Sequence, residues 1–218
     1  MQSTLKIKNI VLIGQFEQAN FDKYFFIKNS IAKEEEIDNT SSFDILLGTI
    51  LFTKKYSIGV NNGNQIIITD LIPESNRDII SDIAIKIINA GNFTNFIALG
   101  INFHWFLEDE SKSFENISKK YFYNEKSNLI SNFFDSDNST LGIYASTNFE
   151  DSRLKLEAKP VIATEIIDGE LINCRGYNFI FNFHFDISKD EGKEKIIHHF
   201  NNYNKYEIQT QNIISLYK

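Results

Sequence analysis

Two histidines in matching surroundings are the first residues whose chemistry could matter. His104 and His184 each close an Asn-Phe-His triplet, Asn102-Phe103-His104 and Asn182-Phe183-His184, and Asp186 stands two residues past the second. Two imidazoles and a carboxylate form a ligand set suited to zinc or iron. Such a site needs three or four ligands converging within about 2 Å of one point, and no spacing here enforces that. The plainer expectation is a half-exposed strand face using Asn and His as hydrogen-bonding residues, with no metal and no cofactor. His198-His199 is weaker still, because adjacent helical residues point about 100° apart around the axis.

A second candidate is Glu157-Ala-Lys159, with Asp137 or Asp151 upstream. Strand alternation puts Glu157 and Lys159 on one face, opposite Leu154, Leu156 and Ala158. An acid followed by Glu-x-Lys resembles the pattern of restriction-type, metal-dependent nucleases. The resemblance implies that the carboxylates hold Mg²⁺ and the lysine positions or activates water. Such a strand should lead to a crossover helix, whereas Pro160 and an Asp168-Gly169 hairpin signal follow. A solvated Glu–Lys pair is the competing expectation.

Other chemistries lack their residues. Asp135-x-Asp137-x-Ser139 imitates the start of a calcium loop, but Thr140 and Ser146 occupy the positions that need Gly and Glu. The chain has no phosphate-binding glycine loop, no dinucleotide-binding turn, no Gly-x-Ser-x-Gly elbow and no His-Glu-x-x-His pair. Its single cysteine, Cys174, cannot form an internal disulfide.

The elements that position these residues follow from hydrophobic period. Phe179, Phe181, Phe183, Phe185 and Ile187 alternate with polar residues, as do Ile101, Phe103, Trp105 and Leu107. Period two means strands with one apolar and one polar face, suited to an antiparallel sheet. Leu5–Phe16 reads as an opening strand with Leu5, Ile7, Val11 and Ile13 on one face. Phe43–Phe52, interrupted by Gly48, and Tyr56–Val60 follow as strands. Asn61-Asn-Gly-Asn64 turns the chain into Gln65–Thr69, because Asn-Gly supplies the positive φ of a tight hairpin. Pro73–Ala90 reads as a long helix with Ser75 or Asn76 as cap and Gly91 as stop. Short helices are expected over Ser111–Tyr121 and Asn124–Phe134. Strands are expected at Thr140–Thr147, Ser152–Lys159, Val161–Ile167 and Glu170–Arg175. A capping box at Ser188-x-x-Glu191 opens a terminal helix with Ile196, Ile197, Phe200 and Tyr203 inward.

The expected fold is α+β: antiparallel sheet built from hairpins, covered on one face by long helices. Residues 1–108 and 139–218 read as two similar subdomains joined by a helical connector, 109–138, with one continuous domain as the alternative. Shared use of Phe and Asn accounts for the likeness of the halves more simply than duplication.

Composition bounds the function. The 218 residues are 42% hydrophobic and carry a net charge of −7, a globular balance without the basic footprint of a nucleic-acid binder. No apolar run is long enough to span a membrane, and the N-terminus lacks a signal-peptide pattern. The richness in Ile, Asn, Lys, Phe and Tyr suggests an AT-rich, bacterial genome. The leading expectation is a non-catalytic, cytoplasmic accessory, immunity or defence protein that binds another protein or a second copy of itself. Strand edges are its natural contact surface. The alternative is the metal-dependent hydrolase, most plausibly a nuclease, built on Glu157 and Lys159. A third reading places a small ligand against His104, His184 and Asp186.

Overall fold

Alternating phenylalanines require a strand with a core on one side only, and Phe179, Phe181, Phe183 and Phe185 are all buried. The computed structural model describes residues 2–44, 47–61, 63–74, 78–91, 93, 95–108, 118–136, 138–167, 170–188 and 192–217. The expectations for Asp137, the Ser75–Asn76 cap, residues 111–117, the Asp168-Gly169 turn and Glu191 lie outside the described residues.

The strands are β1 (Gln2–Gly14), β2 (Ser42–Asp44), β3 (Gly48–Phe52), β4 (Tyr56–Asn61) and β5 (Gln65–Asp70), then β6 (Phe96–Glu108), β7 (Ile143–Phe149), β8 (Ser152–Ile167) and β9 (Glu170–Asp186). They form one nine-stranded sheet in the order β2-β3-β4-β5-β1-β6-β9-β8-β7. Every ladder is antiparallel. The fold is therefore α+β. Helices are α1 (Lys23–Lys28), α2 (Ile80–Ala90), α3 (Asn128–Phe133), α4 (Gly192–Asn201) and α5 (Tyr203–Ser215).

The strands from the first half occupy one side of the sheet and those from the second half the other, meeting at the β6–β9 ladder. There Asn102 pairs with Asn182 and Phe103 with Phe181. The inner face of β6 and β9 meets α4 and α5: Phe103 contacts Tyr203, Phe183 contacts Tyr206, and Phe185 contacts His199. Trp105 Nε1–H donates to Thr210 Oγ1 at 2.9 Å. Each buried phenylalanine of β9 contributes about 1.5–3 kcal/mol relative to an exposed one. Helix α2 packs against β1 and β5 with Ile80, Ile83, Ile87 and Ile88 buried.

Several local expectations change. The buried residues of β1 are Leu5, Lys8, Ile10, Leu12 and Gly14, so Ile7, Val11 and Ile13 do not share a face with Leu5. The pairing to β6 slips between Leu5↔Trp105 and Ile7↔His104. A bulge of this kind inserts one residue and reverses the alternation beyond it. Helix α2 begins at Ile80 rather than Pro73, where the Asp78 carboxylate accepts from the Ser81 amide. Strand β8 runs unbroken through Pro160, which pairs with Tyr177. The β7 ladder has already ended at Ile143↔Ala158, so Pro160 lies past the last β7 pair on that side. The terminal helix is two, split at Asn202, whose Nδ2 donates to the His198 carbonyl at 2.8 Å.

Candidate functional site

The outer face of the sheet carries the polar residues that alternation sends away from the core. One rung of side chains crosses the central strands: Asn9 pairs with Asn102, Asn102 with Asn182, and Asn182 with Lys155. The three carboxamides are linked: Asn102 Nδ2–H donates to Asn9 Oδ1 at 2.7 Å, and Asn182 Nδ2–H to Asn102 Oδ1 at 2.5 Å. This amide ladder satisfies half-buried polar groups in pairs and ties three strands across their outer face.

His104 and His184 share this face but flank the rung on opposite sides. His104 pairs with Ile180 and His184 with Gly100, which separates them by about 13 Å at the usual strand rise. His184 Nε2 lies 3.2 Å from Asp186 Oδ1. Burial holds the His104 imidazole below its ordinary pKa, and the charge of Lys159 adds to that. Glu157 and Lys159 also lie on the outer face, joined by a 2.9 Å ion pair with both side chains about half exposed. Asp151 sits in the β7–β8 turn, about 20 Å along the strand from Glu157 at that rise. The structure therefore brings His184 to Asp186 and Glu157 to Lys159, and it does not bring Asp151 to Glu157 or His104 to His184. Among the described residues no three His, Cys, Asp or Glu side chains converge as a metal-ligand set.

Two polar nodes on the inner face escape sequence reasoning. Asp151 belongs to the first, where its Oδ2 lies 3.3 Å from buried His199 Nε2 without making a hydrogen bond. His199 Nδ1 is 2.9 Å from Tyr206 Oη, and the ring packs on Phe185 with centroids 4.1 Å apart. Burial lowers the His199 pKa, and Asp151 opposes that shift. Beside it Lys205 of α5 pairs with Glu150, so the β7–β8 turn is fastened to the helices. The second node is Lys8, only 3% exposed, whose Nζ lies 3.0 Å from Glu207 Oε2. Asp70 is the register partner of Lys8, and burial raises the pKa of both Asp70 and nearby Asp78. Tyr203 is pushed well up by burial and by the charges of Asp78, Glu207 and Asp70. Lys8 was legible in principle: once Ile10 and Leu12 face inward, period two carries Lys8 inward too. His199 and Asp151 had no local signal, since 48 residues of chain separate them.

The third feature is an arm. Strand β7 leaves β8 at Ile143↔Ala158, and among the described residues the pairing of β6 with β9 runs to Glu108↔Gly176. Strands β8 and β9 nevertheless keep pairing from Ile162↔Arg175 to Ile167↔Glu170, a two-stranded ribbon reaching about 20 Å past the sheet. Among the described residues no strand pairs with the outer edge of β8 beyond Ala158. Ile162 is 58% exposed on this ribbon, and Thr164 Oγ1–H donates to Asn173 Oδ1 at 3.0 Å. Leu129 and Phe133 of α3 are exposed as well.

An open groove of about 600 Å³ lies between α2 and the Glu34–Glu36 turn, but Lys33, Lys55 and Lys86 are interspersed there with Glu34, Glu35, Glu36 and Asp82. It presents no single-sign surface. Among the described residues no helix is long and apolar enough to cross a membrane. No family model matches this chain, and no curated protein matches it in sequence.

Proposed function

We propose that this protein is a non-catalytic, cytoplasmic binding module, an accessory, immunity or defence-system component, which takes a partner protein by strand addition. The observation that carries the reading is the β8–β9 arm. An isolated two-stranded ribbon is marginal in water at best, and an apolar edge without a neighbour is a template for another chain. The arm combines an exposed Ile162 with a β8 edge that β7 leaves open. In this reading residues 1–108 and the helices on the inner face form the scaffold, and residues 139–218 carry the binding edge.

The test is affinity purification at low salt from the source organism, comparing wild type with Ile162→Lys, with metal and nucleic acid assayed in the same eluate. A stoichiometric protein captured by wild type and lost with Ile162→Lys supports the reading. Equal capture by both, or recovery with metal or nucleic acid in place of a protein, overturns it.

A further inference from the structure

We infer that the partner of the β8 edge is a second copy of this chain, an inference that rests on the strand-addition reading above. The edge runs Val161-Ile-Ala-Thr-Glu-Ile-Ile167, and its pattern of residue types reads nearly alike in both directions. Two antiparallel copies related by a two-fold axis pair residues whose numbers have a constant sum. Centred on Thr164, that register sets Val161 against Ile167, Ile162 against Ile166, Ala163 against Glu165, and Thr164 against itself. Apolar positions meet apolar positions at four rungs, and no like charges stand opposite each other.

The length fits as well as the polarity. The open edge is bounded at one end by β7, which stops at Ala158, and at the other by the end of β8 at Ile167. An arm of the same length fills that interval and then stops against the partner's β7. The product is a four-stranded antiparallel bridge, β9-β8-β8-β9, that joins the two sheets and closes the β8 edge of each copy. Isologous pairing of this kind is self-limiting and yields a dimer rather than a filament.

The experiment is sedimentation of purified protein over a wide concentration range with three chains: wild type, Thr164→Lys, and Thr164→Cys combined with Cys174→Ser. Thr164 is exposed, so its substitution leaves the monomer fold intact, which circular dichroism checks. Wild type is expected to show a monomer–dimer equilibrium. Thr164→Lys sets like charges opposite each other at the axis and weakens it at least about tenfold. The cysteine variant should form a covalent dimer on mild oxidation, because a directly opposed pair has disulfide geometry. A wild type that stays monomeric throughout, or a Thr164→Lys chain that dimerises like wild type, overturns the inference. The strand-addition reading is judged separately, by hydrogen exchange of the arm amides. A monomer whose arm becomes protected with a different purified partner loses the second-copy assignment alone. An arm that neither a second copy nor a captured protein protects removes both.

Discussion

Strands β8 and β9 pair along their whole length, yet the two parts of this ladder sit in opposite surroundings. From Arg153↔His184 to Ala158↔Phe179 the ribbon has β6 and β7 beside it. Its inner face there holds Leu154, Leu156, Ala158, Phe179, Phe181 and Phe183, all buried. From Ile162↔Arg175 outward the same ladder continues, and among the described residues neither β6 nor β7 pairs with it there. Backbone pairing is equal in both parts, so pairing alone does not explain why a strand is stable. The backed part is held by apolar burial.

The contrast can be tested by substitution. Phe183→Ala empties a fully buried ring site in the backed part and should cost about 3–5 kcal/mol, read from chemical denaturation. Glu207→Gln removes the partner of buried Lys8, and breaking such a pair costs about 3–5 kcal/mol where nothing replaces it; the proximity of Asp70 places this variant at the lower end. Asn102→Ala breaks both links of the amide ladder and strands the carboxamides of Asn9 and Asn182, for about 1–3 kcal/mol.

His199 gives a pH test of the same backed part. Burial is the main cause of its lowered folded-state pKa, opposed by Asp151 and Glu150 and reinforced by His198 and Lys195. Between the folded and unfolded values the unfolded chain binds more protons, so stability rises with pH. The contribution of His199 is therefore complete above the ordinary histidine pKa of 6.5 and is lost as pH falls below it. His199→Gln should flatten that part of the stability curve; an unchanged slope would show that other groups carry it. The smallest effects belong to the arm and the outer face. Ile162→Ala should change monomer stability by no more than about 0.5 kcal/mol, and Glu157→Gln by about 0–1 kcal/mol. An Ile162→Ala variant as damaging as Phe183→Ala would erase the distinction between the two parts. A Glu157→Gln variant that abolished a nuclease activity while staying folded would restore the hydrolase alternative.

Much of the architecture was readable locally. Alternation along Tyr177–Ile187 identified the central strand and its inward phenylalanines, and Asn-Gly marked the β4–β5 hairpin with Gly63 at positive φ. The matching Asn-Phe-His triplets anticipated a shared outer face, since residue parity on paired strands settles which side chains lie together. Their separation was invisible, because register is a relation between strands. The inward side of β1 was misread for a related reason: the bulge after Leu5 exists only against β6. Pro160 looked like a break because the sequence does not say where β7 ends.

The sequence by itself determined the period of each element, the turns that need Asn-Gly, and the α+β class. Those depend on residues a few positions apart and on backbone sterics. Only the tertiary structure decided the order of the strands, the pairing of Lys8 with Glu207, and the meeting of Asp151 with His199. It also decided that one ladder would be half core and half arm. These outcomes depend on which distant segments share the burial of apolar surface, and that choice is made by the whole chain at once.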